Sequence, residues 1–384
     1  MEVRKLLYLL PIMILLACHK EEAGINNQST KTDSIQAWKS NPYFFREGKI
    51  LLNGHISGDC LTIAGVKAIS TFDTSSSMEP LVNIAVDGFS ALDYRPAMSD
   101  HFEVYKGEHS SELYINTNWY PSLELLHVNL DLATVDSIHF SADDMIEPEY
   151  YTHPIGVFNN QNQLLVPVHK NDVAAGLVMS LTNIQMTNTE KIKFTDTVEA
   201  FQSTLTYDLK PIYFDVDQFQ YVRGLFSFDE NFFVSIDDGF WKIKPNSDKV
   251  KAFFSGGNSH DVVRKMIRYK DHFLAFTDYE GNIYQSDLSG EVWNKVGSNF
   301  HPYFDEMDFF QVGDTLCFYA YSQLYTLNLD NETIKELDNT GLEGNAITSV
   351  NQFNGKVWVT TLSGLFTRDE KDFFTYKKTD SNQQ

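Results

Sequence analysis

Side chains that bind metals are plentiful in this sequence, but their spacing does not predict a metal site. The 11 histidines are scattered, with no pair four residues apart and no His-Glu-x-x-His motif. Asp208, Asp215 and Asp217 form a cluster of acids near a predicted loop. A calcium-binding loop also needs a glycine for its sharp turn, and none lies there. The sequence therefore predicts no metal and no other cofactor, and we interpret these acids as a solvated loop.

Residues for nucleophilic, acid–base and phosphate chemistry show no catalytic arrangement either. The chain has no Gly-x-Ser-x-Gly motif, and no glycine-rich run opens a helix. With 52 Asp and Glu some carboxylates must approach each other, so such a pair predicts no glycosidase. Cys60 and Cys317 lie in apolar runs and are interpreted as free core residues, with a disulfide between them as the alternative. The sequence thus predicts a protein that is not an enzyme, with no catalytic residue.

The clearest chemistry is predicted at Cys18. Arg4 and Lys5 precede an uncharged run over residues 6–17, which is typical of a secretory signal and too short to cross a bilayer. The run ends in Leu15-Leu16-Ala17-Cys18, which resembles the lipobox of bacterial lipoproteins. The resemblance implies removal of residues 1–17 and acylation of Cys18, with enough acyl chains for a stable anchor. The alternative is an ordinary thiol just after a cleaved signal.

The segment behind Cys18 predicts a tether and a location. Residues 18–42 are rich in Asn, Gln, Ser, Thr and Lys and are predicted to form a flexible tether. Lys20-Glu21-Glu22 resembles the export signal of surface lipoproteins in some Gram-negative bacteria, which implies the outer face of the outer membrane. The periplasmic face is the alternative. Cleavage deletes two basic residues and one acid, so the formal charge of −22 becomes −23 and anionic headgroups repel the protein.

The C-terminal half is self-similar, with a period of about 41 residues. An apolar residue followed by an aromatic one begins at positions 240, 283, 324 and 365, which are 43, 41 and 41 residues apart. Another short apolar run precedes each pair, and turn residues such as Asp237-Asp238-Gly239 lie between the two runs. Two short strands joined by a tight turn at this period match the blades of a β-propeller.

The last repeat carries a more specific pattern. Gly341-Leu342, Asn345 and Ile347 are followed by Gly355-Lys356-Val357-Trp358-Val359-Thr360-Thr361 and Gly364-Leu365. Over residues 341–368 this pattern resembles the two-component-regulator propeller repeat. The resemblance implies a propeller in which Trp358 packs between neighbouring blades, and it implies ligand sensing as one functional class. The earlier repeats share the spacing but lack this tryptophan.

Weaker repeats extend the pattern toward the N terminus. Residues 125–131 align with residues 324–330, and runs over 163–168 and 176–181 form another predicted strand pair. The predicted fold class is therefore all-β, a β-propeller over residues 43–378 with seven four-stranded blades. The predicted blades are 43–96, 97–147, 148–200, 201–257, 258–298, 299–339 and 340–378. Six blades are the alternative if 43–96 only completes the ring, and eight if 198–220 hides another. The two chain ends are expected to share one blade.

Composition narrows the class of partner. The chain has 30 Lys and Arg against 52 Asp and Glu, so its net charge of −22 repels nucleic acid. Aromatics in Trp119-Tyr120-Pro121, Glu149-Tyr150-Tyr151 and residues 300–304 could stack on a glycan or anchor a protein, or pack between blades. The predicted function is a non-enzymatic binding or scaffold module in an envelope assembly, with a protein partner and a glycan as a further candidate. The alternatives are a sensor that acts through a partner and a polysaccharide-active enzyme.

Overall fold

The computed structural model describes residues 37–47, 50–65, 68–75, 80, 82–85, 104–106, 112–119, 122–129, 134–139, 156–161, 163–170, 173–193, 199–214, 222–237, 239–246, 248–256, 261–278, 280–300, 307–342 and 344–377. Most of these residues lie in β-strands, and the helices of this part are the short α1 (Pro42–Glu47) and α2 (Glu370–Phe373). Neither of them has the length and apolar composition that crossing a membrane requires.

Three of the sheets are four-stranded meanders in which each strand pairs antiparallel with the next. Sheet 1 contains β2 (Leu51–Ser57), β3 (Cys60–Gly65), β4 (Ala68–Asp73) and β5 (Val82–Ala85). Sheet 3 contains β14 (Val222–Phe228), β15 (Asn231–Ile236), β16 (Gly239–Ile243) and β17 (Lys249–Lys251). Sheet 5 contains β23 (Met307–Val312), β24 (Thr315–Ala320), β25 (Gln323–Asn328) and β26 (Thr333–Glu336). Such meanders are the blades of propellers.

Sheet 2 has eight strands. It contains β6 (Val104–Lys106), β7 (Glu112–Trp119), β8 (Ser122–Asn129), β9 (Thr134–His139), β10 (Val157–Phe158), β11 (Gln163–Lys170), β12 (Val173–Lys193) and β13 (Glu199–Tyr213). Its two halves meet where β13 pairs in parallel with β9. The predicted blade boundary between residues 200 and 201 is wrong, because β13 crosses it as the partner of β12. Most of the stretch considered for an eighth blade is this one strand.

Sheets 4 and 6 each take an outer strand from elsewhere in the chain. Sheet 4 contains β18 (Phe253–Ser255), β19 (Val263–Tyr269), β20 (His272–Thr277), β21 (Ile283–Asp287) and β22 (Val292–Gly297). Sheet 6 contains β1 (Lys39–Ser40), β27 (Ile347–Phe353), β28 (Lys356–Thr361) and β29 (Gly364–Asp369). β18 follows sheet 3 after Ala252 alone, yet it pairs in parallel with β22. β1 pairs antiparallel with β29, so both chain ends share sheet 6 and the N-terminal end donates its outer strand.

The closing strand β1 is held by the residues on either side of it. The Trp38 amide donates to the Thr340 carbonyl at 2.9 Å, and the Asn41 amide donates to the Leu365 carbonyl at 2.7 Å. Trp38 is 5% exposed and belongs to the core between sheets 5 and 6. Residues 38–41 are therefore part of the folded protein, and the predicted tether ends too late at residue 42.

The buried side chain of Arg368 makes polar contacts beside β1. The Arg368 guanidinium carbon lies 5.0 Å from the centroid of the Trp38 ring, close enough for a cation–π contact. Its Nη1 donates to the Asp338 carbonyl at 2.7 Å, and its Nη2 lies 3.3 Å from Asp338 Oδ2. Burial opposes ionisation of Asp338, but hydrogen bonds from Thr340 and the Arg368 charge outweigh it, so the pKa of Asp338 lies below its ordinary value.

Hydrophobic cores lie between the faces of neighbouring sheets. Separate clusters of buried side chains join sheet 3 to 4, sheet 4 to 5, sheet 5 to 6 and sheet 6 to 1. The first strands of these sheets also contact one another in the order β14, β19, β23, β27, β2. Face-to-face packing of successive meanders confirms the predicted all-β propeller. The count of seven blades stays a prediction, because sheet 2 can be counted once or as two four-stranded halves.

Trp358 has the structural position that the last repeat predicts. It is 2% exposed in the core between sheets 6 and 1, with its ring centroid 5.0 Å from that of Phe72. Its indole Nε1 donates to the Phe353 carbonyl at 3.0 Å, so the one polar atom of the side chain is satisfied. The hairpin before it turns through Asn354 and Gly355, both with positive φ (50° and 70°), as a type I′ turn requires.

Candidate functional site

Most residues that the sequence analysis considered for chemistry fall outside the described part of the chain. Cys18, Asp215 and Asp217 lie outside it, and of Asp208 only the backbone is described, within β13. Over the described residues, no three His, Cys, Asp or Glu side chains are grouped so that they could hold a metal ion. The predictions of an acylated cysteine and of no metal in the whole chain therefore stay predictions.

One of the aromatic segments, residues 300–304, lies partly within the described residues. Phe300 is 8% exposed and packs in the core between sheets 4 and 5, with its ring centroid 5.6 Å from Phe276 and 5.7 Å from Phe318. It is therefore a packing residue. Residues 301–304, 120–121 and 149–151 lie outside the described residues, and Trp119 is described only as the last residue of β7.

The two cysteines within the propeller are free thiols. Cys317 is fully buried between sheets 5 and 6, and this burial raises the pKa of its thiol to about 12. Cys60 is partly exposed at the start of β3, where burial, and then the charges of Asp73 and Asp59, raise its pKa. A thiol with a raised pKa carries little thiolate at neutral pH, so neither cysteine has the chemistry of a nucleophile.

A polar trough crosses the ends of sheets 4 and 5. Its volume is about 540 Å³, within the range of roughly 300–1,000 Å³ that is typical of ligand sites. The turn from β19 to β20, the strands β20 and β21, the turn from β23 to β24, the strands β24 to β26 and Tyr376 line it. The hydroxyl of Tyr269 spans the two sheets by donating to the Asp314 carbonyl at 2.8 Å.

The trough bends around the end of sheet 5. Leu327 belongs to the core that sheet 5 shares with sheet 4, whereas its neighbour Thr326 points to the opposite face by strand alternation. Lys335 pairs directly with Thr326, so it lies on that opposite face too. Because both faces contribute to the lining, the trough is an open surface path around the β25–β26 turn. Such a path fits an extended chain better than a compact small molecule.

Each of the two lysines that line the trough lies over a tyrosine ring. Lys270 Nζ lies 5.0 Å from the centroid of the Tyr269 ring, and Lys335 Nζ lies 5.5 Å from that of the Tyr376 ring. These are cation–π distances, so each lysine ammonium lies over one face of its tyrosine ring.

The acids at the trough are more open. Asp314 and Asp330 are exposed, and within the described part of the chain their carboxylates make no ion pair. Asp271, at the same end of sheet 4, contacts the imidazole of His272 with Oδ1 at 2.7 Å from Nδ1. The trough lining has no serine or cysteine, so this His–Asp pair lacks the nucleophile of a hydrolytic triad there. The arrangement is suited to binding a cationic group.

Acids recur at this end of the propeller. The first turn of sheets 1, 3, 4 and 5 has an acidic residue in its second position: Asp59, Glu230, Asp271 and Asp314. The last three are 41 and 43 residues apart, which is the period of the repeat. The sequence analysis missed this regular acid, although the spacing was visible before each paired apolar run.

Two arginine–aspartate pairs recur at the opposite end of sheets 3 and 4. Arg223 Nε lies 2.6 Å from Asp237 Oδ1, and Arg264 Nε lies 3.5 Å from Asp278 Oδ2. Each arginine sits in a β-bulge at the start of the first strand of its sheet. Both arginines and both aspartates are 41 residues apart, a second signal that the sequence analysis missed. In each pair the charge of the arginine balances that of the aspartate, so we interpret the two pairs as contacts that stabilise the bulges.

Comparisons with known proteins support the fold but assign the chain to no family. No protein-family model matches the chain, and no curated protein matches it either. Among solved structures, a virginiamycin B lyase from Staphylococcus aureus is 9% identical, with a TM-score of 0.52 over 86% of this chain and 97% of the lyase. At that identity the similarity shows the fold alone.

Two further structures have lower TM-scores. The β-propeller domain of Cps50 (Swd1) from Myceliophteria thermophila is 10% identical, with a TM-score of 0.49 over 87% of this chain and 98% of that domain. The extracellular domain of a one-component system from B. thetaiotaomicron is 12% identical, with a TM-score of 0.48 over 87% of this chain. This chain spans only 40% of that last structure.

Proposed function

We propose that this protein is a lipid-anchored, non-enzymatic propeller that binds a partner in the bacterial cell envelope. The observation that carries the proposal is the trough across sheets 4 and 5, which is open and polar and is lined by three aspartates and two lysines. Its side chains offer hydrogen bonds and negative charge, and its lining has no hydroxyl or thiol paired with a base for catalysis. Binding of an extended partner is the chemistry that these groups support best.

The proposed anchor is the acylated Cys18. It is supported by the Leu-Leu-Ala-Cys sequence and by the uncharged run before it. Lys20, Glu21 and Glu22 support export to the outer face of the outer membrane. A formal net charge of −23 after removal of residues 1–17 keeps the propeller away from anionic headgroups, so the proposed partner meets it outside the bilayer.

The anchor is tested by metabolic labelling with a clickable fatty acid. We expect the wild-type chain to be labelled and Cys18→Ser to be unlabelled, because the thioether forms only on the cysteine sulfur. Cys60→Ser is the matched control, and its labelling should equal the wild type. Equal labelling of Cys18→Ser and wild type would refute the anchor.

The binding function is tested by purifying the native chain from detergent-solubilised envelopes after mild chemical cross-linking. The proposal predicts a partner in a constant ratio to the chain across independent preparations. Recovery of the chain alone, at every cross-linker concentration, would contradict the proposal.

A further inference from the structure

Exposed apolar side chains lie on the outer strands of sheets 4 and 5, at the same end of the sheets as the trough. Asn294 pairs with Gln285, which lines the trough, and Val292 lies on the same face two residues away. Phe253 of β18 pairs with Val292. Phe253 and Val292 are 65% and 51% exposed, so they form two neighbouring apolar side chains on the surface.

The facing side of sheet 5 matches this surface. Ile334 of β26 pairs with Leu327, which belongs to the core between sheets 4 and 5. Ile334 is therefore on the face that sheet 5 turns toward sheet 4, yet it is 46% exposed. Phe253 and Val292 thus lie on the face that sheet 4 turns toward sheet 5, and Ile334 lies on the face that sheet 5 turns toward sheet 4; we call these three residues the outer cleft.

The outer cleft and the trough differ in chemistry. The trough end has the exposed carboxylates of Asp314 and Asp330, which make no ion pair with any residue that the structure describes, whereas the outer cleft contributes exposed apolar side chains. From β20 to β18 the sheet spans four strands, and a spacing of about 4.8 Å gives a path of ~14 Å. Four or five residues of an extended chain have this length at ~3.3 Å per residue.

Polypeptide fits this path better than glycan. Stacking of a glycan needs a free aromatic face, and a lysine already lies over one face of each of Tyr269 and Tyr376. The apolar cleft instead matches aliphatic or aromatic side chains, and the open carboxylates match lysine or arginine. Strand addition to β26 is restricted, because Tyr376 already bridges to Leu337 and the Lys377 amide donates to the Glu336 carbonyl at its edge.

We propose that the trough and the outer cleft together bind an extended, cationic segment of a partner protein. Its lysine or arginine side chains lie against Asp314 and Asp330, and its apolar side chains lie against Phe253, Val292 and Ile334. This inference rests on the proposed function as a binding module and names the chemistry of the partner.

The inference is tested by calorimetric titration of the purified full chain with capped hexapeptides. The probe has two lysines followed by alternating leucine and serine; in one control glutamates replace the lysines, and in another serine replaces each leucine. Chitohexaose serves as the glycan probe. We expect only the lysine–leucine peptide to bind, and we expect added salt to weaken it. Binding of the serine control as tightly as the probe, or of chitohexaose in place of it, would overturn the inference.

Matched variants locate the site. Asp314→Asn combined with Asp330→Asn should weaken the lysine–leucine peptide about fivefold or more at low salt, as loss of two exposed charge pairs predicts. Ile334→Ser should weaken it at any salt concentration. The controls are Asp59→Asn, at the same turn position in sheet 1, and Ile56→Ser, an exposed isoleucine of β2; both should bind as the wild type does. Equal weakening by the controls would contradict the assignment to this trough.

Co-purification separates failure of this inference from failure of the proposed function. If the envelope partner is recovered equally well with the triple variant at positions 314, 330 and 334, the binding function stands and the trough is the wrong site. If no partner is recovered with the wild type, the binding function itself fails.

Discussion

The two junctions that sheet 6 makes with its neighbours are sealed, whereas the junction between sheets 4 and 5 is open at its rim. At sheet 6, Trp358 fills the core toward sheet 1, and Thr348 Oγ1 donates to the Leu51 carbonyl at 2.8 Å across the same junction. At sheets 4 and 5, Phe276 and Phe309 stack with centroids 3.8 Å apart in the interior. Toward the rim, however, Val292 and Ile334 remain exposed.

The difference lies in what happens at the outer strands. The junction between sheets 4 and 5 and the junction between sheets 6 and 1 each contain several buried aromatic side chains. At sheet 6 the closing strand β1, Trp38 and the buried Arg368 fill the rim. At sheet 4, β18 adds a strand that carries Phe253 outward into solvent. We infer that the repeat determines the interior, and that the strands added at the rim determine where a partner can bind.

The largest expected effect is at the sealed junction. Trp358→Ala should destabilise the protein by about 3–5 kcal/mol, the usual cost of truncating a buried tryptophan. The variant loses contact with Phe72 and the hydrogen bond to the Phe353 carbonyl. Urea unfolding monitored by circular dichroism measures the change, and Trp358→Phe should cost less because it keeps part of the ring packing. An unchanged unfolding midpoint together with lost partner binding would mean that Trp358 belongs to a binding surface and not to the core between sheets 6 and 1.

The next largest effect on stability is expected at the contact between Asp338 and Arg368, beside β1. Asp338→Asn should cost about 1–2 kcal/mol at pH 7, because the buried, charged guanidinium of Arg368 loses its carboxylate partner and keeps only a neutral amide acceptor. The folded pKa of Asp338 is lowered, so its stabilising charge is fully present above the unfolded value of ~3.9 and is lost as the pH falls through the folded pKa. Urea unfolding at several pH values should show that the difference in free energy of unfolding between the wild type and Asp338→Asn shrinks below about pH 4. A difference that is constant down to pH 2 would contradict this role.

The smallest effect on stability is expected at the open junction. Asp314→Asn and Ile334→Ser remove exposed side chains, so each should change the free energy of unfolding by about 0.5 kcal/mol or less. The same urea titration measures this change and shows that the binding variants are folded. A loss comparable with that of Trp358→Ala would mean that the rim is part of the core.

The sequence predicted the interior of the propeller well and its rim poorly. The 41-residue spacing locates the hairpins of sheets 3 to 6, and Trp358 is buried where the last repeat places it. The sequence predicted that the two chain ends share a blade, but it did not locate β1 or β18, because two or three residues carry too little periodicity and pair with strands distant in the chain.

The candidate site was not predicted because no local motif encodes it. The trough combines turns and strands from two sheets, and Asp314 and Asp330 become neighbours of a groove only after those sheets pack. A regular acid at the second turn position was the available signal, through Glu230, Asp271 and Asp314. In an acidic chain such a residue looks like ordinary surface, so its meaning depends on the packed sheets.

Site-specific photo-cross-linking tests the central claim that the open junction is the binding surface. A benzophenone amino acid is placed at position 334 in cells that produce the full chain, and position 56, an exposed isoleucine of sheet 1, serves as the matched control. We predict a light-dependent product of higher mass from position 334 that is lost when Asp314 and Asp330 are both changed to asparagine, and none from position 56. A product from position 56 without one from position 334, or no product from either, would contradict the account.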